Sequence, residues 1–180
     1  MLPFKKFEDV TEKECEEIIA TNFTSYITAC RVLFPLLKQS STPAIVNISS
    51  SAGLCAVVGQ AMYNATKYAV RGFTEAMQMD YKGKMYVGGI YPGFVRTNIL
   101  NRMDESDKNN KWIDRMMMPV EKASKKIVKA IARKKKKKVL GFDGHYMSIS
   151  GRLFPYTTHK IIRKVLKMAK LEIFKELFTD

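Results

Sequence analysis

The 180-residue sequence predicts an α/β fold, a doubly wound parallel sheet of about three strands with helices on its faces. Two observations carry this. Segments with apolar residues every three to four positions alternate with short, nearly continuous β-branched runs, the pattern of strands buried on both faces. The order helix, strand, helix, strand, helix, strand then demands parallel pairing through right-handed crossovers.

Thr11 followed by Glu14 is a capping box and starts the first helix. Ile18, Ile19, Phe23, Tyr26, Ile27, Cys30, Leu33, Phe34 and Leu37 continue it as one long helix, with Pro35 kinking the last turns. Ser40 to Pro43 break the pattern, and Ala44 to Ile48 reads as a buried strand. A Ser/Gly/Ala-rich loop, Ser49 to Gly59, leads to a helix from about Ala61 to Tyr81. Met85 to Tyr91 is the next strand, and Pro92-Gly93 turns the chain. Pro119 opens a helix to about Lys135, Val139 to Gly141 is a short strand, and Pro155 to Phe178 a further helix. Residues 1–180 are read as one partial domain, with 155–180 a basic amphipathic C-terminal helix.

Cys15, Cys30 and Cys55 are odd in number and show neither CxxC spacing nor a partnering His cluster, so they read as reduced packing residues and no metal site is expected. No signal peptide or membrane span is expected, which makes a cytoplasmic location the default. The formal charge of +14 is concentrated in Arg133 to Lys138 and in the C-terminal segment. No groove-reading or aromatic-interleaved motif accompanies it, so the lysines read as solvated helix ends and no nucleic acid partner is expected.

Tyr63 and Lys67 put a phenol and an ammonium one helical turn apart. Such a pair recurs by chance in a lysine-rich chain, and Tyr156 with Lys160 is a second example. Context separates the two. Ser50 stands 13 positions before Tyr63 at the C-terminal mouth of a strand, where parallel sheets present their sites, whereas the matching position before Tyr156 is Asp143, with no buried strand leading into it.

Asn47-Ile48-Ser49-Ser50-Ser51-Ala52-Gly53, then Tyr63-Asn64-Ala65-Thr66-Lys67, then Tyr91-Pro92-Gly93-Phe94-Val95-Arg96-Thr97 resemble, in order and spacing, the hallmarks of the short-chain dehydrogenases/reductases. Asn22, 28 positions before Ser50, matches the asparagine that completes that family's catalytic tetrad. The resemblance implies a Rossmann-like fold and an NAD- or NADP-dependent oxidoreductase that interconverts an alcohol and a ketone or aldehyde. Tyr63 would be general acid and base, Ser50 would orient the substrate oxygen, and Asn22 would hold a water linking Lys67 to solvent. Lys67 would bind the nicotinamide ribose and pull the phenol pKa down from near 10. Pro92, Gly93, Val95 and Thr97 would contact the cofactor. The family also pairs the helices carrying Asn22 and Tyr63 across a subunit interface, which implies a homo-oligomer.

The glycine-rich GxxxGxG turn of the family is not among the ten glycines, so the resemblance covers the later, catalytic part of the fold. Without that half, weak cofactor binding and little turnover are expected of the chain alone. Phe94, Met103 and Met116, with Trp112 and Ile113, fall where the family builds its substrate lid, and their adaptable apolar side chains suggest a lipophilic alcohol or ketone. The C-terminal stripe Ile162, Val165, Leu166, Ala169, Ile173 and Leu177 is expected to dock on the sheet, with contact to an anionic membrane surface as its alternative. The second function class is thus a non-enzymatic dimerising or basic membrane-surface module.

Overall fold

The computed structural model describes residues 1–97, 107, 110, 115–169 and 171–178. The capping box forms: the Thr11 hydroxyl accepts the Glu14 N–H, and the Glu14 carboxylate accepts the Thr11 N–H at 2.9 Å. The Lys5 ammonium first, and the Thr11 donors second, hold the Glu14 carboxyl down at about 2. Helix α1 (Glu12–Ile19) passes through a π-helical turn, Ala20–Thr24, into α2 (Ser25–Gln39), which contains Pro35. The path is the expected long helix. Its register is not, because a π turn inserts a residue that no apolar period announces.

Among the described residues five strands occur, in chain order β1 (Ala44–Ile48), β2 (Tyr86–Pro92), β3 (Val95–Arg96), β4 (Met118–Pro119) and β5 (Lys137–Leu140). The main sheet is parallel in the order β1-β2-β5, with Ala44 opposite Tyr86 and Tyr91 opposite Val139. Strand β2 is the centre, buried from Val87 to Tyr91. Two glycines there make room for aromatic rings of their own strand, since a Cβ at Gly88 would stand 2.5 Å from the Tyr86 hydroxyl oxygen and one at Gly89 2.7 Å from that of Tyr91. Strands β3 and β4 form a separate two-residue parallel pair. Among the described residues nothing pairs with the outer edge of β1, although the Tyr26 hydroxyl donates to the Ile48 carbonyl at 2.7 Å.

Helix α3 (Ala61–Asp80) crosses from β1 to β2, and α4 (Val120–Ala132) leads into β5. Beyond β5 the structure departs from expectation. An unanticipated helix, α5 (Phe142–Leu153), precedes α6 (Pro155–Ala169), and the helix expected to run to Phe178 stops at Ala169. A 3₁₀ segment, Glu172–Leu177, completes the chain's described fold. Leu166, Leu171, Phe174 and Leu177 are buried with Cys55, Val57, Met117 and Met147 in one core cluster. The C-terminal stripe therefore docks on the protein, against the loop after β1 and against α5. Cys55 lies in that core as a free thiol, and Cys15 and Cys30 are also free. No helix among the described residues is long and apolar enough to cross a membrane.

The 3₁₀ segment is anchored by a single carboxylate. Asp107 is 2% exposed and accepts the Glu172 N–H through Oδ1 and the Ile173 N–H through Oδ2, each at 2.9 Å. Negative charge at exposed helix-start amides is favourable, and both bonds are charge-assisted. Asp107→Ala is expected to lower stability by about 2 kcal/mol in urea denaturation, and Asp107→Asn by less, because one acceptor survives. Equal stability of all three proteins would show that the anchor contributes nothing.

Candidate functional site

Residues 49–60 form the floor of the site and are clasped onto α3. The Ser49 N–H donates to the Ile90 carbonyl at 2.8 Å, and its hydroxyl donates to the Lys67 carbonyl at 2.9 Å. Gly53 approaches that carbonyl so closely that a Cβ would stand 2.6 Å from its oxygen. Asn64 pairs with Val57 in both directions, accepting its N–H at 3.2 Å and donating to its carbonyl at 2.8 Å. Below the loop, Asn47 on β1 donates to the Thr74 hydroxyl on α3 at 2.9 Å. All four polar side chains are buried, so each bond also satisfies a group that would be costly to leave unpaired.

The clasp brings Ser50, Tyr63 and Lys67 together. The Ser50 hydroxyl stands beside the Tyr63 phenol, near enough to draw its pKa down, and accepts the Ala52 N–H at 3.1 Å, which fixes its rotamer. Lys67 lies behind them, 9% exposed, with Nζ 5.5 Å from the Tyr63 ring centre and 5.6 Å from that of Tyr26. Among the described residues no carboxylate pairs with it, so two ring faces supply its compensation. Burial pushes the Lys67 ammonium pKa down. The phenol shows the opposite of the sequence expectation. Burial pushes Tyr63 up, the Ser50 hydroxyl draws it back only in part, and neighbouring Tyr26 adds to the rise. Lys67 stands over the ring at 5.5 Å from its centre, and its field does not offset the burial of the phenol.

Asn22 sits in the π turn and is 5% exposed. Its side chain accepts the Met1 ammonium at 2.6 Å and donates to the Met1 carbonyl at 2.7 Å, with a long 3.5 Å contact to the Thr66 hydroxyl. Thr66 in turn donates to the Tyr63 carbonyl at 2.8 Å, so Asn22 reaches the site through one intermediate side chain.

Ser50 and Tyr63 line a cleft of about 370 Å³ whose opposite wall is the turn after β2, with Pro92, Gly93, Phe94, Val95 and Thr97. Of the expected substrate residues, Ser50 and Phe94 therefore face the cleft. Met103, Trp112 and Ile113 lie outside the described residues. Met116 is half-buried and not among the cleft-lining residues, because Met117 beside it takes the core position and Met118 enters β4. Met147, from the unanticipated α5, lines the cleft in its place.

Sequence reasoning also missed Asp143. At the start of α5, its Oδ2 accepts the Phe94 N–H at 2.7 Å, while Oδ1 is buried with no hydrogen-bond partner among the described residues. Glycine is required on both sides of it. A Cβ on Gly93 would overlap the carboxylate, and Gly141 adopts φ 85° to turn β5 into α5. The signal was present in Gly141-Phe142-Asp143-Gly144, a glycine-flanked acid directly after a strand.

Desolvation pushes the Asp143 carboxyl above its ordinary 3.8 despite nearby amide donors. A raised carboxyl is favoured in its protonated form when folded, so its contribution weakens as pH rises from 3.8 through the raised value. Asp143→Asn stays neutral throughout. The melting temperature of the parent relative to this variant is expected to fall across that window, and a pH-independent difference would contradict the assignment.

The sequence profile of the family described as short chain dehydrogenase matches residues 1–108, more than half of the chain. A putative oxidoreductase, SadH, of Mycobacterium tuberculosis is 29% identical over 160 residues, covering 83% of this chain and 58% of its own length. A 3-ketodihydrosphingosine reductase of Bos taurus is 27% identical over 153 residues, covering 79% and 44%. Among solved structures, a short-chain dehydrogenase from Sphingobium yanoikuyae in complex with NADPH superposes with a TM-score of 0.68 at 22% identity, over 96% of this chain and 63% of that one. One from Burkholderia cenocepacia in complex with NADP reaches 0.75 at 16% identity, over 90% and 65%. The chain thus spans 58% of the length of SadH, its sheet is the corresponding part of a Rossmann-like fold, and it belongs to the short-chain dehydrogenase family.

Proposed function

We propose that this chain supplies the catalytic and substrate-binding part of an NAD- or NADP-dependent oxidoreductase that interconverts a lipophilic alcohol and its ketone or aldehyde. The observation that carries the reading is the Ser50 hydroxyl and the Tyr63 phenol lining one cleft, with a nearly buried ammonium behind the ring. A hydroxyl and a phenol side by side hold one substrate oxygen from two directions, and the phenol gives that oxygen a proton as negative charge develops.

The lining fits the nicotinamide end of a dinucleotide. A volume of about 370 Å³ lies in the ordinary range for small-molecule sites, and Gly93 keeps the turn bare of side chain toward its neighbours. Tyr63, Lys67, Pro92, Gly93, Val95 and Thr97 would hold that end, and the bound cofactor would exchange a hydride with the substrate carbon. The sequence contains no GxxxGxG turn for the pyrophosphate, so the chain alone binds NAD or NADP weakly. Asn22, tied to Thr66 and through it to the Tyr63 backbone, positions the helix that carries the acid.

The apolar groups Phe94, Val57 and Met147 in the cleft support a lipophilic substrate, as does similarity to a reductase named for ketodihydrosphingosine. Exposed Val32, Leu33 and Leu36 on α2 support a homo-oligomer through the helices carrying Asn22 and Tyr63.

In the chain joined to a glycine-rich nucleotide-binding half, Tyr63→Phe is expected to reduce kcat for a long-chain secondary alcohol by about 100-fold or more. A variant as active as the parent would dismiss Tyr63 as the acid. The pH dependence has a definite sign. With the phenol raised above 10, alcohol oxidation, which needs it deprotonated, should still be climbing at pH 10, whereas carbonyl reduction should stay level to that point and fall beyond it. A plateau in oxidation near neutral pH would mean that another group or the bound cofactor resets the phenol.

A further inference from the structure

Helix α5 is apolar on two opposite faces. Its inner face buries Gly144 and Met147, and Met147 also lines the cleft. Its outer face carries Phe142, Tyr146, Ile149 and Leu153, spaced four, three and four apart, hence on one stripe. They are exposed by 90, 36, 62 and 63%, and Phe154 extends the row at 64%. The outward face of a surface helix is ordinarily polar, and a contiguous apolar row of this kind marks a contact surface.

The charge around it identifies the partner. Between Gly144 and Leu171 the sequence contains no Asp or Glu, but holds Arg152, Lys160, Arg163, Lys164, Lys167 and Lys170. Helix α6 repeats the arrangement, with Ile161, Val165 and Met168 exposed and lysines alongside. A second copy of the same face would bring cations against cations on a chain of formal charge +14. An anionic lipid surface offers both the apolar phase and the opposite charge, and no described helix is suited to crossing it.

We propose that the outer face of α5, with basic α6 beside it, docks on an anionic bilayer surface, α5 lying in the plane of the interface. Apart from exposed Val165, these residues are not the C-terminal stripe considered from sequence, which packs in the core. The cleft then stands one helix thickness, roughly 10–12 Å, from the lipid, with Met147 on its side of the helix. Docking does not depend on the oxidoreductase reading, and its readout is binding rather than turnover.

The test is co-sedimentation of the chain with phosphatidylcholine vesicles with and without phosphatidylserine, at low and at physiological salt. Binding is expected to need phosphatidylserine and to weaken with salt, to fall about tenfold or more in Phe142→Ser/Ile149→Ser, and to fall in Lys164→Glu. Both apolar positions are exposed, so the fold should survive their replacement. Should the double variant melt early, Phe142→Trp gives an independent reading, a blue shift of the added emission on phosphatidylserine vesicles. No sedimentation with either vesicle, equal binding by the stripe variant with an unshifted tryptophan, or self-association that Phe142→Ser abolishes in the absence of vesicle binding would each overturn the proposal, the last in favour of a second copy.

Discussion

The site depends on one carbonyl. Lys67 is the residue whose side chain provides the buried cation, and its backbone oxygen is also where the loop after β1 is fastened, by the Ser49 hydroxyl and by the close approach of Gly53. The same residue therefore sets both the charge and the distance from that charge to Ser50. Asn64, one position after Tyr63, ties the far end of the loop to the same helix through Val57. Loops ordinarily carry function at the cost of definition. Here buried hydrogen bonds to a single helix give a loop the fixity of a strand.

The electrostatics of the pair follow from burial more than from proximity. Lys67 and Tyr63 are each pushed toward their neutral forms, and the ammonium sits over ring faces, which attract a cation without demanding a counter-charge. A phenol in that state keeps its proton to higher pH, so it is present in the form that donates and is a weaker acid for it. The opposite wall has a comparable economy, since Asp143 steadies the Phe94 amide while carrying an oxygen that finds no donor among the described residues. That carboxylate and the two glycines around it fit only one another.

The three strands of the main sheet and the meeting of Ser50 and Tyr63 at one cleft were legible because their signals are local: β-branched runs, a capping box, and motif spacings that the fold converts directly into proximity. What escaped had non-local causes. The π turn around Asn22 is set by packing and by the contacts of its side chain to Met1 and Thr66, not by a break in apolar period. Helix α5 contains Gly144 and Gly151, which lower helix propensity, and both are used for close packing: against Val139 and Gly93 in one case, against Cys55 in the other. Its large residues point outward, the reverse of the pattern that announces a core helix. The end of α6 at Ala169 is likewise a tertiary matter, decided where Asp107, distant in sequence, captures the amides of Glu172 and Ile173. The direction of the Tyr63 shift could not be read from spacing, because spacing fixes which groups are near but not how far the phenol is buried.

The π turn constrains how this protein can change length. Removing one residue between Ala20 and Thr24 would let the helix relax to its regular pitch with nearly the same phase beyond it, because five residues at π pitch turn the chain about as far as four at α pitch. Tyr26 would then keep its side of the helix, toward the Ile48 carbonyl and Lys67, and the loss would fall on the contacts that Asn22 makes from within the turn. A one-residue deletion is thus absorbed in the turn at the expense of the seat of Asn22, although none of the five residues is among those lining the cleft.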